Sequence, residues 1–241
     1  MPTPVAYEVN NESPQERKRF IRKLFDSIVP TYDLLNHLLS FGSDGRWRKD
    51  LVKKAGVKEG DLVIDLCCGT GDVSRLLSER GAKTVSLDFS LEMLRRGVKK
   101  KALAGDSIMG DACTLPFKSD TFDAATIAFG IRNLPDLDRF MQEVHRILKP
   151  GGKLTILELV RPESNVIRVF YSFYLRNVLP IIGGIMSGKL FAYRYLSGTI
   201  ATFVHPVTLQ EMLENHGFGS ISHSPKTFGV ATIIVCIKEA Q

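Results

Sequence analysis

No part of this 241-residue chain holds an uninterrupted apolar run of the ~20 residues that a membrane-spanning helix needs. The greasiest segment, Val166–Ser187, is broken by Arg168, Arg176, Pro180, Gly183 and Gly184. Cysteine is scarce, with only four residues, at Cys67, Cys68, Cys113 and Cys236. That is too few for a disulfide-built scaffold, and the adjacent Cys67 and Cys68 should point to opposite faces of a strand-like run. Reduced, packed thiols are the expectation, with a zinc site or a structural disulfide as the alternatives. The opening Met-Pro-Thr-Pro lacks the basic-then-apolar pattern of a secretion signal and has no clear transit-peptide pattern, so a cytoplasmic location is expected. Internal repeats and low-complexity tracts are also missing.

Acidic residues are outnumbered, 26 against 32 basic ones, for a net charge of +6. The excess gathers at Arg17–Lys23, Arg46–Lys54 and Arg95–Lys101. Solvated helix faces, an anionic membrane surface or nucleic acid would each suit such clusters, and composition does not choose among them.

What is present is enough apolar material, 44% of residues, for one large α/β domain. Residues 1–15 read as a flexible lead, and 16–59 as a helical preface. Phe20, Leu24 and Ile28 share a helical face that Pro30 should end, and helices over Asp33–Leu39 and Arg46–Ala55 flank the loop Gly42–Gly45. From Gly60 short apolar runs alternate with helical ones, the pattern of a mainly parallel sheet covered on both faces. Strands are expected at Leu62–Leu66, Thr84–Leu87, Ser107–Met109, Ala124–Ala128 and Lys153–Leu159, with helices over Val73–Arg80, Leu91–Ala104 and Leu137–Leu148. Lys149-Pro-Gly-Gly152 supplies helix-stop and turn chemistry. Thus 60–160 forms a nucleoside-binding core. Residues 161–205 form an apolar helical insertion, either a plain cover over the sheet or a lid over a lipophilic substrate. Residues 206–241 add a helix at Thr208–His216 and antiparallel strands at Gly219–Pro225 and Ala231–Lys238.

The chemistry lies at strand ends. The run Leu62–Leu66 leads through Cys67-Cys-Gly69-Thr70-Gly71-Asp72 into a helix, so Gly69 and Gly71 occupy a strand-to-helix turn where a ligand can approach backbone N–H groups. Asp88 closes the next apolar run, 23 positions after Asp65 (88 − 65). A carboxylate there accepts from both hydroxyls of a ribose, although a helix cap before Phe89–Glu92 also explains it. Asp111 follows the third run. It can accept the exocyclic amine of adenine while the Ala112 N–H donates to a ring nitrogen, the alternative being a plain turn residue. The loop Gly69-Thr-Gly71-Asp-Val-Ser74 lacks the third glycine of a dinucleotide turn. S-adenosylmethionine, whose ammonium suits Asp65 and the loop carbonyls, is therefore favoured over a nicotinamide cofactor.

Asp65–Asp72, Asp111–Phe117, Phe122-Asp123, Thr126–Asn133 and Leu148–Gly152 resemble the class I methyltransferases. More narrowly, Phe129-Gly-Ile-Arg-Asn133 and Tyr193-Arg-Tyr-Leu196, with Phe25-Asp26, Tyr32-Asp33, Asn36, Ser40-Phe-Gly42 and Trp47, resemble the ubiquinone/menaquinone-biosynthesis C-methyltransferase family. The chain departs from that family at Ala128, where serine is common, at Asp44-Gly45, where His-Arg is common, and at Gly198 and Val204, where glutamate and proline are usual. The resemblance implies a Rossmann-like, seven-stranded, mainly parallel sheet with N-terminal helices and an apolar helical lid. It also implies carbon methylation of a polyprenylated demethylquinol, with Thr70, Asp88, Asp111 and Ala112 as cofactor contacts.

For that reaction the protein must align the ring, exclude water and stabilise a phenolate-like oxygen. Arg132, just after the fourth strand, is the candidate stabiliser, since a guanidinium keeps its charge at ordinary pH. Its alternative role is a salt bridge that fixes the loop. Asn133 can orient the substrate, and Tyr32, Asp33, Tyr193 and Tyr195 are candidates to complete the quinol pocket. His205 is a candidate base or an incidental loop residue. No metal is expected, because the electrophile is already cationic and His37, His145, His205, His216 and His223 show no ligand spacing. An RNA substrate is disfavoured, because the strand-four motif lacks the Asn/Asp-Pro-Pro-aromatic cluster that holds an exocyclic amine and no nucleic-acid module is visible. Expected partners are the quinol, the inner face of a membrane and a second copy of the chain in a homodimer.

Overall fold

The alternation of apolar runs becomes one seven-stranded sheet in the structure, a computed structural model that describes residues 14–40 and 42–239. Three helices come first, α1 (Pro14–Ile28), α2 (Tyr32–Leu39) and α3 (Ser43–Ala55). The expected lead up to Ser13 lies outside the described residues, as does Phe41, whereas Pro14 and Gln15 already belong to α1. Ile21, Leu24 and Ile28 form the buried stripe of α1; of the expected face Phe20, Leu24 and Ile28, Phe20 is only half-buried at the edge of that stripe.

The core follows as β1 (Leu62–Leu66), α4 (Asp72–Ser78), β2 (Lys83–Asp88), α5 (Leu91–Lys99), β3 (Asp106–Met109), β4 (Phe122–Ala128), α6 (Leu137–Ile147) and β5 (Leu148–Leu159). The order across the sheet is β3-β2-β1-β4-β5-β7-β6. The first five strands run parallel, and β7 (Ala231–Lys238) inserts antiparallel between β5 and β6 (Phe218–Lys226). Chain direction across the sheet reverses between β1 and β4. A crevice therefore opens outside the carboxyl ends of these strands, where open α/β sheets bind ligands. Val63, Ile64 and Leu66 are fully buried, because helices cover both faces and a central parallel strand has no solvent side.

On one face α6 packs Phe140, Met141, Val144 and Ile147, and α10 (Pro206–Asn215) adds Leu209 and Leu213. On the other, α3 contributes Trp47, Leu51 and Val52, and α4 Val73 and Leu77. Each such side chain stabilises the fold by about 1.5–3 kcal/mol through burial. Three expectations are adjusted. Helix α3 begins at Ser43, so Ser43–Gly45 of the expected loop are helical. Helix α5 stops at Lys99 and not Ala104, since Ala102 N bonds back to Gly97 O at 3.0 Å and Leu103 folds against Gly97. Lys149–Gly152 does end α6, but the chain goes straight into β5 through a register shift opposite Phe122 and Ala124, with Gly151 at φ 76°. The turn there is an irregular strand start.

The insertion is helical throughout its apolar length. Helix α7 (Asn165–Phe173) passes through a π-helical turn at Tyr174–Val178 into α8 (Leu179–Ser187), and α9 (Leu190–Thr202) doubles back. Leu175, Leu179, Ala192, Tyr193, Tyr195 and Ile200 pack with Ile21, Leu24 and Ile28 of α1 as a separate hydrophobic cluster. No described helix is long and apolar enough to cross a membrane.

Candidate active site

Two cavities meet above the carboxyl ends of β1 and β4. The smaller, about 120 Å³, is lined by Gly69, Asp88, Asp111 and Ala112 from three successive strand ends, with Phe89 and Met93 beside them. Helices α1 and α2 close it with Lys18, Ile21, Phe25 and Tyr32. The larger, about 390 Å³, is walled mainly by apolar and aromatic side chains of α1, α2 and the insertion. Phe25, Tyr32, Phe129 and Asn133 line both.

The glycine loop is shaped by backbone geometry and by acids beneath it. Cys67 (φ 52°), Gly69 (φ 56°) and Gly71 (φ 85°) lie in the left-handed region, which costs a glycine least. At Gly71 an added Cβ would stand 2.4 Å from Leu103 Cδ2, so this glycine permits packing beneath the loop. At Gly69 it would meet only Tyr32, at 3.8 Å across the cavity. Asp65 is buried and accepts from Ser74 Oγ at 2.6 Å and Thr126 Oγ1 at 2.9 Å. Burial pushes its carboxyl up to about 6 against the pull of those hydroxyls.

Asp88 holds the loop from the neighbouring strand. Its carboxylate accepts Gly69 N at 2.8 Å and Ser90 N at 2.8 Å. Burial raises its pKa to about 6 despite these amides. The helix cap is Ser90, which accepts Met93 N at 3.1 Å, so Asp88 is not itself the cap. Two amides leave carboxylate lone pairs on the cavity side. Asp111 accepts Cys113 N at 2.9 Å and pairs with Lys18, whose pKa rises chiefly through that bond. The carboxylates of Asp88 and Asp111 therefore share one cavity with apolar walls at Phe89, Met93 and Leu134, and these acceptors and surfaces fit an adenosyl group.

Thr70 stands elsewhere, on a small adjoining cavity with Asp65, Asp72 and Val73, and its hydroxyl donates to Asp33. Asp33 thus serves the loop and lines neither large cavity. Arg132, only 7% exposed, pairs with the buried Glu158 and donates to Phe129 O at 2.8 Å, while also lining the larger cavity. The loop-fixing salt bridge and the cavity position therefore coexist. Burial raises the Glu158 pKa, with Arg132 opposing it. Asn133 accepts the Tyr195 hydroxyl at 3.3 Å, and Tyr193 and Tyr195 both line the larger cavity. His205 caps α10 by accepting Val207 N at 3.3 Å and lines none of these cavities. The four cysteines are unpaired thiols.

The ubiE/COQ5 methyltransferase family matches residues 11–238. The chain belongs to this family. A demethylmenaquinone methyltransferase of Thermus thermophilus is 43% identical over 88% of the chain and 98% of the relative. One of Thermotoga maritima is 42% identical over 90% and 96%. A ubiquinone/menaquinone biosynthesis C-methyltransferase UbiE of Geobacter sulfurreducens is 42% identical over 90% and 88%. Among solved structures, a SAM-dependent methyltransferase of Thermotoga maritima shares the fold at TM-score 0.66 and 19% identity, covering 90% of this chain and 99% of that one. The [4+2]-cyclase SpnF shares it equally, at TM-score 0.66 and 16% identity, covering 92% and 96%. A cyclase and a methyltransferase on one fold show that architecture alone does not fix the reaction.

Sequence reasoning missed Lys18, Lys100 and Glu158. Glu158 left a trace, a lone acid in the apolar run Leu154–Val160, and a fully buried carboxylate calls for a paired cation. Lys18 and Lys100 left none, because their partners are 93 and 67 positions away.

Proposed function

We propose that the protein transfers a methyl group from S-adenosylmethionine to a ring carbon of a polyprenylated demethylquinol, with demethylmenaquinol the first substrate to test. The observation that carries this reading is the junction. A cavity with adenosyl-type acceptors and a larger greasy cavity share Phe25, Tyr32, Phe129 and Asn133, beside the Arg132 guanidinium. When bound, S-adenosylmethionine supplies a cationic sulfonium methyl.

The chain's own residues do the rest. Gly69, Gly71 and Thr70 shape the loop at the amino-acid end, Asp88 accepts from the ribose, and Asp111 and Ala112 read the adenine edge. Asn133, held by Tyr195, fixes the acceptor head group, while Tyr193 and Tyr195 close its apolar surround. Arg132 stabilises the quinol oxygen as its proton leaves, which makes the ring carbon a stronger nucleophile. Glu158 holds that guanidinium in place. As the carbon–carbon bond forms the sulfonium's carbon–sulfur bond breaks and the thioether leaves; the ring carbon then loses its proton and the oxygen regains one, which restores the aromatic quinol with one proton released overall. Excluding water from the apolar cavity strengthens the Arg132 interaction.

The outer face of the insertion supports docking on a membrane surface, where a prenylated quinol resides. No residue of α7 is buried, and Val166, Val169, Phe170, Phe173 and Ile185 are each at least 62% exposed. Arg168, Arg176 and Arg194 of the insertion are exposed and suit anionic headgroups. Labelled S-adenosylmethionine incubated with demethylmenaquinol and with a demethoxyubiquinol-type acceptor tests the reading. Label on the ring carbon of either supports it and identifies the acceptor, and no transfer to either rejects it.

A further inference from the structure

Helices α1 and α2 touch each of the three loops at the cofactor cavity, and they use a different polar side chain for each. Lys18 pairs with Asp111 after β3. Asp26 accepts the hydroxyl of Ser90, the residue that caps α5 and whose amide Asp88 holds. Asp33 accepts from Thr70 in the glycine loop and binds Lys100 Nζ at 2.8 Å. Lys100 also donates to Thr70 Oγ1 at 2.9 Å and Asp72 at 2.7 Å. Between these latches Ile21, Phe25 and Tyr32 lie across the cavity.

The space beneath them, about 120 Å³, is smaller than the roughly 300–1,000 Å³ of pockets that bury a small molecule. Lys18 also engages the carboxylate that adenine would use. To accommodate an adenosyl ligand α1 and α2 must therefore shift outward, and Lys18 must release Asp111 when the ligand binds. The latching ions are partly exposed, with Lys18 at 40%, Asp111 at 33%, Lys100 at 24% and Asp33 at 31%. Each is weak alone, but three acting on one helical pair open together.

We propose that α1 and α2 are a latched roof over the cofactor cavity, and that Lys18, Asp26 and Asp33 are positioning residues that set the rates of adenosyl ligand entry and release. Lys18 differs from the other two. Its latch competes with the ligand for Asp111, so it holds the roof only before binding, whereas Asp26 and Asp33 hold it both before and after. The inference rests on the adenosyl reading of the cavity.

Stopped-flow binding of S-adenosylhomocysteine to the full chain tests it. Lys18→Met should speed association without speeding release, and Lys18→Arg should restore the slow rate. Asp26→Asn combined with Asp33→Asn should raise both rates by about tenfold, leaving the equilibrium affinity little changed. A role in fold integrity alone would instead slow association and weaken affinity, and that result overturns the proposal. Hydrogen exchange on the unsubstituted protein gives a second measurement. Amides of α1 and α2 should gain protection when S-adenosylhomocysteine is added, and protection confined to the strand-end loops overturns the roof. Failure of the unsubstituted protein to bind S-adenosylhomocysteine at all rejects the adenosyl reading and the roof with it.

Discussion

The two cavities that meet at Phe129 are built by opposite means. The smaller draws its shape from strand ends, left-handed loop residues and carboxylates already bound to backbone amides, so its polar groups are fixed before any ligand arrives. The larger draws its shape from helices whose apolar side chains face one another, and whose outer faces stay uncovered. One recognises by hydrogen bonds, the other by exclusion of water. Arg132 lies in the wall of the larger one, next to Asn133 which lines both, and substitutions that separate the two cavities should separate cofactor binding from turnover.

The largest effects should come at the Arg132–Glu158 pair. Glu158→Leu leaves the guanidinium buried without its carboxylate, and removing one partner of such a pair costs about 3–5 kcal/mol. Chemical denaturation should show that loss, and an unchanged midpoint would mean the pair is unimportant to the fold. Arg132→Ala should lower kcat by roughly 100- to 1,000-fold while the affinity for S-adenosylhomocysteine stays within about twofold. Equal losses in both would move Arg132 out of the larger cavity's chemistry and into loop support.

Asp88→Asn comes next and acts on the smaller cavity. Losing charge-assisted hydrogen bonds worth about 1.5–3 kcal/mol should weaken cofactor binding roughly ten- to a hundredfold. The native protein should show a matching pH dependence. Burial lifts the Asp88 carboxyl from 3.8 to about 6, so the folded state holds this proton more tightly than the unfolded chain does. Stability from this group is present below pH 3.8 and is lost as pH rises through about 6. Cofactor binding runs the other way, since ribose hydroxyls need the ionised acceptor. Affinity should fall by nearly tenfold per pH unit below about 6 and level off above it. Calorimetry across that range checks this, and Asp88→Asn should flatten the profile, leaving any residue of it to Asp65.

The sheet and the smaller cavity were far more legible in the sequence than the larger one. A buried parallel strand needs a continuous apolar run, and a ligand-bearing loop needs glycine followed by a helix, so Leu62–Leu66, Gly69 and Asp88 declare themselves within a few residues. Asp111 and Ala112 were legible because they end the next such run. The larger cavity depends on how α1, α2 and the insertion close against each other, which no local pattern encodes. Arg132 was legible as a charge after a strand, but its pairing with Glu158, 26 positions on, was not. Asp33 was misplaced for the same reason. Its neighbour Tyr32 does line the cavity, whereas the Asp33 side chain turns to Thr70 and Lys100.

The outer face of the larger cavity predicts a smaller and more selective effect. Phe173→Asp with Ile185→Asp removes two side chains that are 62% and 81% exposed, so folding should be little altered. Binding to anionic phospholipid vesicles should drop by about tenfold or more, since inserting each side chain yields roughly 1.5 kcal/mol or more. Methylation of a short-chain quinol in detergent should persist. Equal loss in both assays would place these side chains in the folded core of the lid and not on a membrane.

The smallest effect sharpens the junction itself. Phe129 is a non-glycine residue at φ 59°, and its carbonyl accepts Arg132 Nη1 at 2.8 Å. Its ring lies 5.2 Å from the Arg48 guanidinium and 6.3 Å from the Trp47 ring. Arg48 is paired with the buried Asp44. Phe129→Leu keeps the backbone donors and acceptors but removes a cation–π contact worth about 0.5–1 kcal/mol. Turnover should fall roughly two- to fivefold with cofactor affinity little changed, because the ring braces the wall that both ligands share while the cofactor's polar contacts lie on other residues. If cofactor affinity falls as far as turnover, the Phe129 ring supports the cofactor as much as the acceptor, and the two cavities are less separable than their construction implies.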